Sequence, residues 1–120
     1  MTEARQSLGR WGEELAARYL ERRGLRIVHR NLRTPVGEID ILARDRKTLV
    51  FVEVKTRRSL AFGTPQEAVG PTKRRQILRA AQWHLASVAP GTAVRFDVVA
   101  ILAGSGEPVI EHIVNAFGLD

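Results

Sequence analysis

Residues 36–57, VGEIDILARDRKTLVFVEVKTR, are two apolar runs of strand length separated by the polar tetrapeptide RDRK at 44–47. Runs this rich in Val, Ile, Leu and Phe, preceded by the turn chemistry of TPVG at 34–37, predict strands over 38–43 and 48–56 that pair as an antiparallel hairpin. The hairpin constrains everything else, because its apolar side chains must be covered by the rest of a 120-residue chain. It also contains an anomaly: Asp40 lies between Ile39 and Ile41, and Glu53 between Val52 and Val54. Ionised groups are costly inside core strands unless something neutralises them.

The flanking segments supply the cover. From Leu8 to Arg23 the residues Leu8, Trp11, Leu15, Tyr19 and Leu20 recur at spacings of three and four, which predicts an amphipathic helix with Ser7 as its N-cap and Gly24 as its left-handed stop. LRIVHR at 25–30 alternates and reads as a strand, and SLAFGTP at 59–65 reads as a loop. Pro71 opens a second helix over about 72–88 that APG at 89–91 ends; strands follow at 94–102 and 108–114. Helix, three strands, helix, one or two strands is the pattern of an α/β fold, a mixed central sheet flanked by helices. At helical spacing, Trp11 and Trp83 are expected to pack in the core rather than to stack on bases.

Strand alternation places Phe51, Glu53 and Lys55 on one face and Val50, Val52 and Val54 on the other, and puts Glu38 and Asp40 together with Ile39, Ile41 and Ala43 behind. The expectation is one continuous apolar face and an opposite face on which Asp40 meets Glu53 and Lys55, the last two roughly 6–7 Å apart. Adjacent carboxylates repel and call for a cation, and a hard divalent ion with oxygen ligands is the usual one. A lysine two residues on can hold a water and offset charge on a phosphoryl oxygen, so the set suits metal-assisted phosphodiester hydrolysis. E-x-K alone is common, and a Glu53–Lys55 or Asp40–Lys55 ion pair on a solvent-facing sheet competes with this reading. The signal is the arrangement: Asp, twelve residues, then E-x-K on paired strands after a helix.

Charge points the same way. Nineteen Lys and Arg, sixteen of them arginine, face thirteen Asp and Glu for a net +6, which favours phosphate-bearing partners, nucleic acid first. Arg57 and Arg58 leave the third strand beside the candidate site, and Lys73, Arg74 and Arg75 open the second helix, where they could hold flanking phosphates; four or five such contacts would make binding strongly salt-dependent. A solvated helix start is the competing view. Gln66 and Gln82 could reach sugar or base edges. The absence of cysteine excludes disulfides and thiolate chemistry, and His29, His84 and His112 lack ligand spacing and are expected to be surface or packing residues. The longest apolar stretch, VVAILAG, is too short to span a bilayer, and the charged MTEARQSLGRWGEE shows no secretory signal, so no membrane partner and a cytoplasmic location are expected.

GRWGEELAARYL, GEIDILARD, LVFVEVKTR, FGTPQEAV and RFDVVAI together resemble the uncharacterised YraN-type bacterial family, over roughly residues 8–102. That family is similar to the restriction-endonuclease-like PD-(D/E)XK nuclease superfamily, with archaeal Holliday junction resolvases as its nearest analogues. The resemblance implies a single endonuclease-like domain over 1–120 with a restriction-endonuclease-like core. It places the superfamily's Asp on Asp40, its E-x-K on Glu53 and Lys55, and the resolvases' helix acid on Glu13, with Glu14 as the neighbour. Ile39 stands where the motif has Pro. The implied roles are Mg²⁺ (or Mn²⁺) on Asp40 and Glu53 with the Val54 carbonyl, a metal-bound water or second ion at Glu13, and the attacking water on Lys55. Glu38 is a weaker candidate, able instead to pair with an arginine. The expectation is thus a metal-dependent DNA endonuclease acting on branched or structured DNA, as a homodimer where paired incisions are made. The alternatives are a non-catalytic nucleic-acid-binding module of the same fold and a protein-interaction domain for a DNA-processing partner.

Overall fold

The computed structural model describes residues 3–59 and 69–118, with Arg5 as backbone only. The elements are α1 (Glu3–Arg22), β1 (Arg26–Thr34), β2 (Gly37–Asp45), β3 (Thr48–Arg57), α2 (Pro71–Leu85), β4 (Val94–Leu102) and β5 (Val109–Phe117). Gln66 and the expected loop beyond Ser59 lie outside the described residues.

Helix α1 begins before Ser7, so that serine is not the N-cap; its hydroxyl accepts a 3.4 Å hydrogen bond from Arg10 Nη2 inside the helix. Ala, Arg and Gln before it are good helix formers, and nothing there stops the helix. The C-terminal end follows the sequence: Gly24 takes φ +93°, and the Leu25 amide donates to the Leu20 carbonyl while the Gly24 amide donates to that of Glu21. This is the Schellman pattern, which needs a residue tolerant of the left-handed region. In α2, Pro71 takes the first turn, and the helix stops at Leu85 rather than 88 because the Ser87 hydroxyl and amide both turn back onto the His84 carbonyl.

The five strands form one sheet in sequence order, antiparallel at every step except β3–β4, which are parallel. A parallel step demands a crossover, and the segment containing α2 provides it. The hairpin pairs from Ile41↔Val52 to Asp45↔Thr48. Mixed α/β with two helices on a five-stranded mixed sheet is the architecture expected, and it is compatible with a restriction-endonuclease-like core.

The expectation of a single apolar face is corrected. Ala16, Ala17 and Leu20 of α1 cover Ile41, Ala43, Val50, Val52, Val99 and Ile101, while Ile77, Ala80 and Ala81 of α2 cover Ile39, Leu42, Leu49, Phe51, Phe96 and Val98 on the other side. Strands beside a parallel pair are buried on both faces, which is why the runs look continuous rather than alternating. Both tryptophans are also corrected: Trp11 is 40% exposed and Trp83 51%. Spacing of three and four marks more than one stripe of a helix, and here the narrow stripes of Ala, Gly and Leu face the sheet because they allow close approach.

Gly12 sets that approach for α1. A Cβ there would lie 1.8 Å from Thr56 Oγ1 and 3.0 Å from Thr56 Cβ, so a side chain fits only if Thr56 or the helix shifts. Gly12→Ala is therefore expected to lower stability by about 1–3 kcal/mol, the usual overpacking cost, despite alanine's better helix propensity. Urea unfolding measures it, and adding Thr56→Ala should recover part of the loss. Among the described residues, no helix is long and apolar enough to cross a membrane.

Candidate functional site

The site begins where the hairpin stops pairing. Asn31 of β1 adopts φ +52° in the gap between the pairs Arg30↔Ile41 and Leu32↔Ile39, opposite Asp40. Alternation breaks at the same point, since Ile39 packs on the α2 side and Ile41 on the α1 side. Beyond Ile41↔Val52 the Val54 amide finds no backbone acceptor on β2; it donates instead to Asp40 Oδ2 at 2.9 Å. Asp40 thus sits between the two strands, its carboxylate filling a place in the hydrogen-bond ladder.

Glu53 meets it there, with a side-chain hydrogen bond joining the two carboxyls. Glu53 is only 7% exposed. Burial first, then the negative charge of Asp40, push its pKa up to about 8, against the pull of Lys73 and Lys55. Burial also raises Asp40, opposed by the Val54 amide, the charge of Lys73 and the bond from Glu53. The pair therefore keeps a proton through neutral pH, with the negative charge best supported on Asp40 by the amide. Lys73 reaches in from the first turn of α2, its Nζ 3.6 Å from Glu53 Oε1.

Glu13 approaches from α1. Burial and then Asp40 raise its pKa, while Arg30 and a side-chain hydrogen bond from Asn31 lower it. Glu14 faces away, accepting from Arg30 Nη1 at 2.7 Å and Arg18 Nε at 3.1 Å, so of the two it is Glu13 that addresses Asp40. Glu38 pairs on the surface with Arg33 at 3.5 Å, the role left open for it.

Lys55 and Glu13 line one cleft of about 550 Å³, together with Leu8, Gly9, Arg57 and Arg58. The cleft lies between the start of α1 and the end of β3, with Glu13 as its acid and Arg58 exposed at its side; Asp40 and Glu53 are not among the residues that line it. The basic run of α2 does not act as a unit, because successive helical residues point about 100° apart. Lys73 faces Glu53; Arg74 donates to the Val69 carbonyl at 2.9 Å and lies over the Phe117 ring; Arg75 stays at the surface with Thr72. Gln82 is exposed on the outside of α2.

Two buried carboxyls side by side offer oxygen ligands of the kind a hard cation takes, and Mg²⁺ is commonly held through one or two carboxylates with waters completing its shell. Asp40 and Glu53 are the residues that would hold it. Among the described residues, no three His, Cys, Asp or Glu side chains are grouped closely enough to form a fuller ligand set, so Glu13 stands off the pair.

Residues 12–101 match the uncharacterised protein family UPF0102. The chain belongs to that family. It is 56% identical to a UPF0102 protein of Syntrophotalea carbinolica over 100% of this chain and 98% of that one. Identity is 51% with a UPF0102 protein of Anaeromyxobacter dehalogenans, covering 98% of this chain and 89% of the other. With one of Geobacter sulfurreducens it is 56%, covering 93% and 89%. UPF0102 is the YraN-type group that the motifs pointed to, and every candidate site residue falls inside the matched span.

Two features escaped the sequence reading. Asn31 was legible in principle, since asparagine inside a strand favours the left-handed region. Asp97 was less so, being one acid in VRFDVVAIL. It is fully buried and accepts from Arg95 Nε and Nη2, both at 2.9 Å, from His112 Nε2 at 2.7 Å and from the Asn115 amide at 2.9 Å. Arg95 also bridges to Asp45 at 3.0 Å. His112 is thus a packing residue with a polar task, set edge-on to Tyr19; His84 packs edge-on to Phe51, and His29 is exposed.

Proposed function

We propose that this chain is a divalent-metal-dependent nuclease that hydrolyses DNA phosphodiester bonds, with branched or structured DNA as the substrate class implied by its likeness to junction resolvases. The observation that carries the reading is the buried Glu53 carboxyl set against Asp40 at the point where the hairpin stops pairing, with Lys55 two residues on and close enough to act on Glu53. Buried carboxylates kept together at such electrostatic cost are common where a site needs perturbed groups. When bound, Mg²⁺ would supply charge for the phosphate oxygens and acidify a water. Asp40 and Glu53 would hold the cation, the Val54 carbonyl being a further candidate oxygen. Lys55 orients the attacking water and offsets charge on the phosphoryl oxygen as the P–O bond opposite breaks. Glu13 accepts a hydrogen bond from a water next to Asp40. Arg57 and Arg58 hold phosphates along the cleft.

A second reading, DNA binding without cleavage, is favoured by Lys73, whose charge already offsets that of the Asp40–Glu53 pair, and by the two-carboxylate rather than three-carboxylate grouping among the described residues. One experiment separates them. Labelled duplex, single-stranded, flap and four-way DNAs are incubated with Mg²⁺ and with wild type, Asp40→Asn or Lys55→Ala. The nuclease reading expects cleavage by wild type, a fall of about a hundredfold or more in both variants, and DNA binding retained. Binding without cleavage by wild type would leave the module. Cleavage undiminished in the variants would place the chemistry elsewhere.

A further inference from the structure

We propose that Lys73 is a displaceable counter-ion: its ammonium neutralises the charge that the Asp40–Glu53 pair carries in the metal-free protein and swings out to the mouth of the site, ready for a substrate phosphate, when a divalent cation takes its place. The proposal rests on the reading of Asp40 and Glu53 as a metal site.

Lys73 is placed against local preference. It lies in the first turn of α2, where the helix dipole is positive and disfavours cations, and that turn has no acidic residue to compensate. What holds it is the site: Nζ lies 3.6 Å from Glu53 Oε1, and its charge also bears on Asp40. It therefore occupies the field of both carboxylates, where a divalent ion would have to sit. The hold is loose. At that distance the contact is an ion pair rather than a hydrogen bond, and the Lys73 side chain is 47% exposed against 8% for Glu53. One partner is fixed in the core and the other can leave on a flexible four-carbon stem. Lysine suits this, since its single charge has none of the planar fork by which arginine locks onto carboxylates. The neighbours are not free to do it: Arg74 is tied to the Val69 carbonyl and the Phe117 ring, and Arg75 contacts Thr72 at the surface.

Displacement follows from charge. A divalent cation on the two carboxylates both removes the attraction that draws the ammonium in and repels it directly. The ammonium then turns towards solvent, beside the place where a phosphate would meet the cation. Loading the metal and readying a phosphate contact become one event, so the site is not left with an unneutralised buried pair when empty.

The chain has only three lysines, which makes the test direct. Wild-type protein, intact and folded, is treated briefly with an amine-acylating ester with and without saturating Mg²⁺, and initial labelling at each lysine is read by mass spectrometry. Lys47, in the polar turn between β2 and β3, is the internal reference. Lys73 is expected to label several-fold faster with Mg²⁺, as its ammonium leaves the carboxylates for solvent, with Lys47 unchanged and the effect gone in Asp40→Asn. Calorimetry on the same samples reports Mg²⁺ binding independently. Binding without any rise at Lys73 would overturn the counter-ion role and leave the metal site standing. No binding at all would remove the metal site and this inference with it.

Discussion

Replacing Glu53 with glutamine is expected to destroy the proposed activity and to make the protein more stable. The two effects share a cause. Glu53 is buried beside another carboxyl, and burial and the Asp40 charge lift its pKa from 4.5 to about 8. A carboxyl whose folded pKa is raised contributes stability that is fully present below its unfolded value and is lost as pH rises through its folded one. Wild type should therefore lose stability between about pH 4.5 and pH 8 through this group. Glutamine has a similar shape, can donate to Asp40 and never ionises. Glu53→Gln should match wild type near pH 5 and exceed it by on the order of 1–3 kcal/mol at pH 9, the scale of an ill-satisfied buried polar group. Urea midpoints at the two pH values measure this, and a variant less stable than wild type at pH 9 would contradict it. Function goes the other way. Losing one of the two proposed carboxylate ligands should abolish measurable Mg²⁺ binding and cut the proposed cleavage by about a thousandfold or more, since a metal ion's stabilisation of transition-state charge amounts to several kcal/mol. In wild type, Mg²⁺ binding should strengthen with rising pH up to about 8, because the bound proton has to leave first.

Asp97→Asn is expected to show the opposite pattern, with large damage to stability at neutral pH. Burial raises the pKa of Asp97, but bonds from His112, Arg95 and the Asn115 amide outweigh it and hold the pKa below its ordinary value. A carboxylate so depressed contributes stability above its unfolded pKa, near 3.9, and loses it as pH falls through the folded value. The amide cannot accept from three donor groups and strips the counter-charge from Arg95, which is only 20% exposed. Breaking one partner of a buried ion pair costs about 3–5 kcal/mol, a large part of a small domain's stability. The difference between Asp97→Asn and wild type should be greatest at pH 7 and shrink below pH ~4. A loss under about 1 kcal/mol at pH 7 would mean that the network carries little of the fold. The network faces α1 through the His112–Tyr19 contact, whereas Glu53 faces α2 through Lys73, so the two substitutions should act separately.

Much of this is legible in the amino-acid sequence. Helix α1 with its Gly24 stop, the β2–β3 hairpin around RDRK, α2 behind Pro71 and β4 all rest on local chemistry: apolar periodicity, turn residues, and where glycine and proline are tolerated. The pairing of Asp40 with Glu53 was readable too, because both lie on adjacent strands of a hairpin whose turn fixes the register. Burial direction was not. The same VFVEV and EIDIL runs serve a sheet covered on one face or on two, and the difference is made by a parallel neighbour, β4, more than forty residues away.

The tertiary structure alone decided which charges matter together. KRR at 73–75 is a basic patch on paper, and helical geometry sends its members to a carboxylate, an aromatic ring and the solvent. The exposed tryptophans, the left-handed Asn31 that frees Asp40 from strand alternation, and the buried Asp97 all depend on contacts between segments distant in sequence. Local sequence specifies elements because their energetics are local; the ionisation of a buried group depends on the sum of charges and solvent around it, and that sum exists only once the chain has closed.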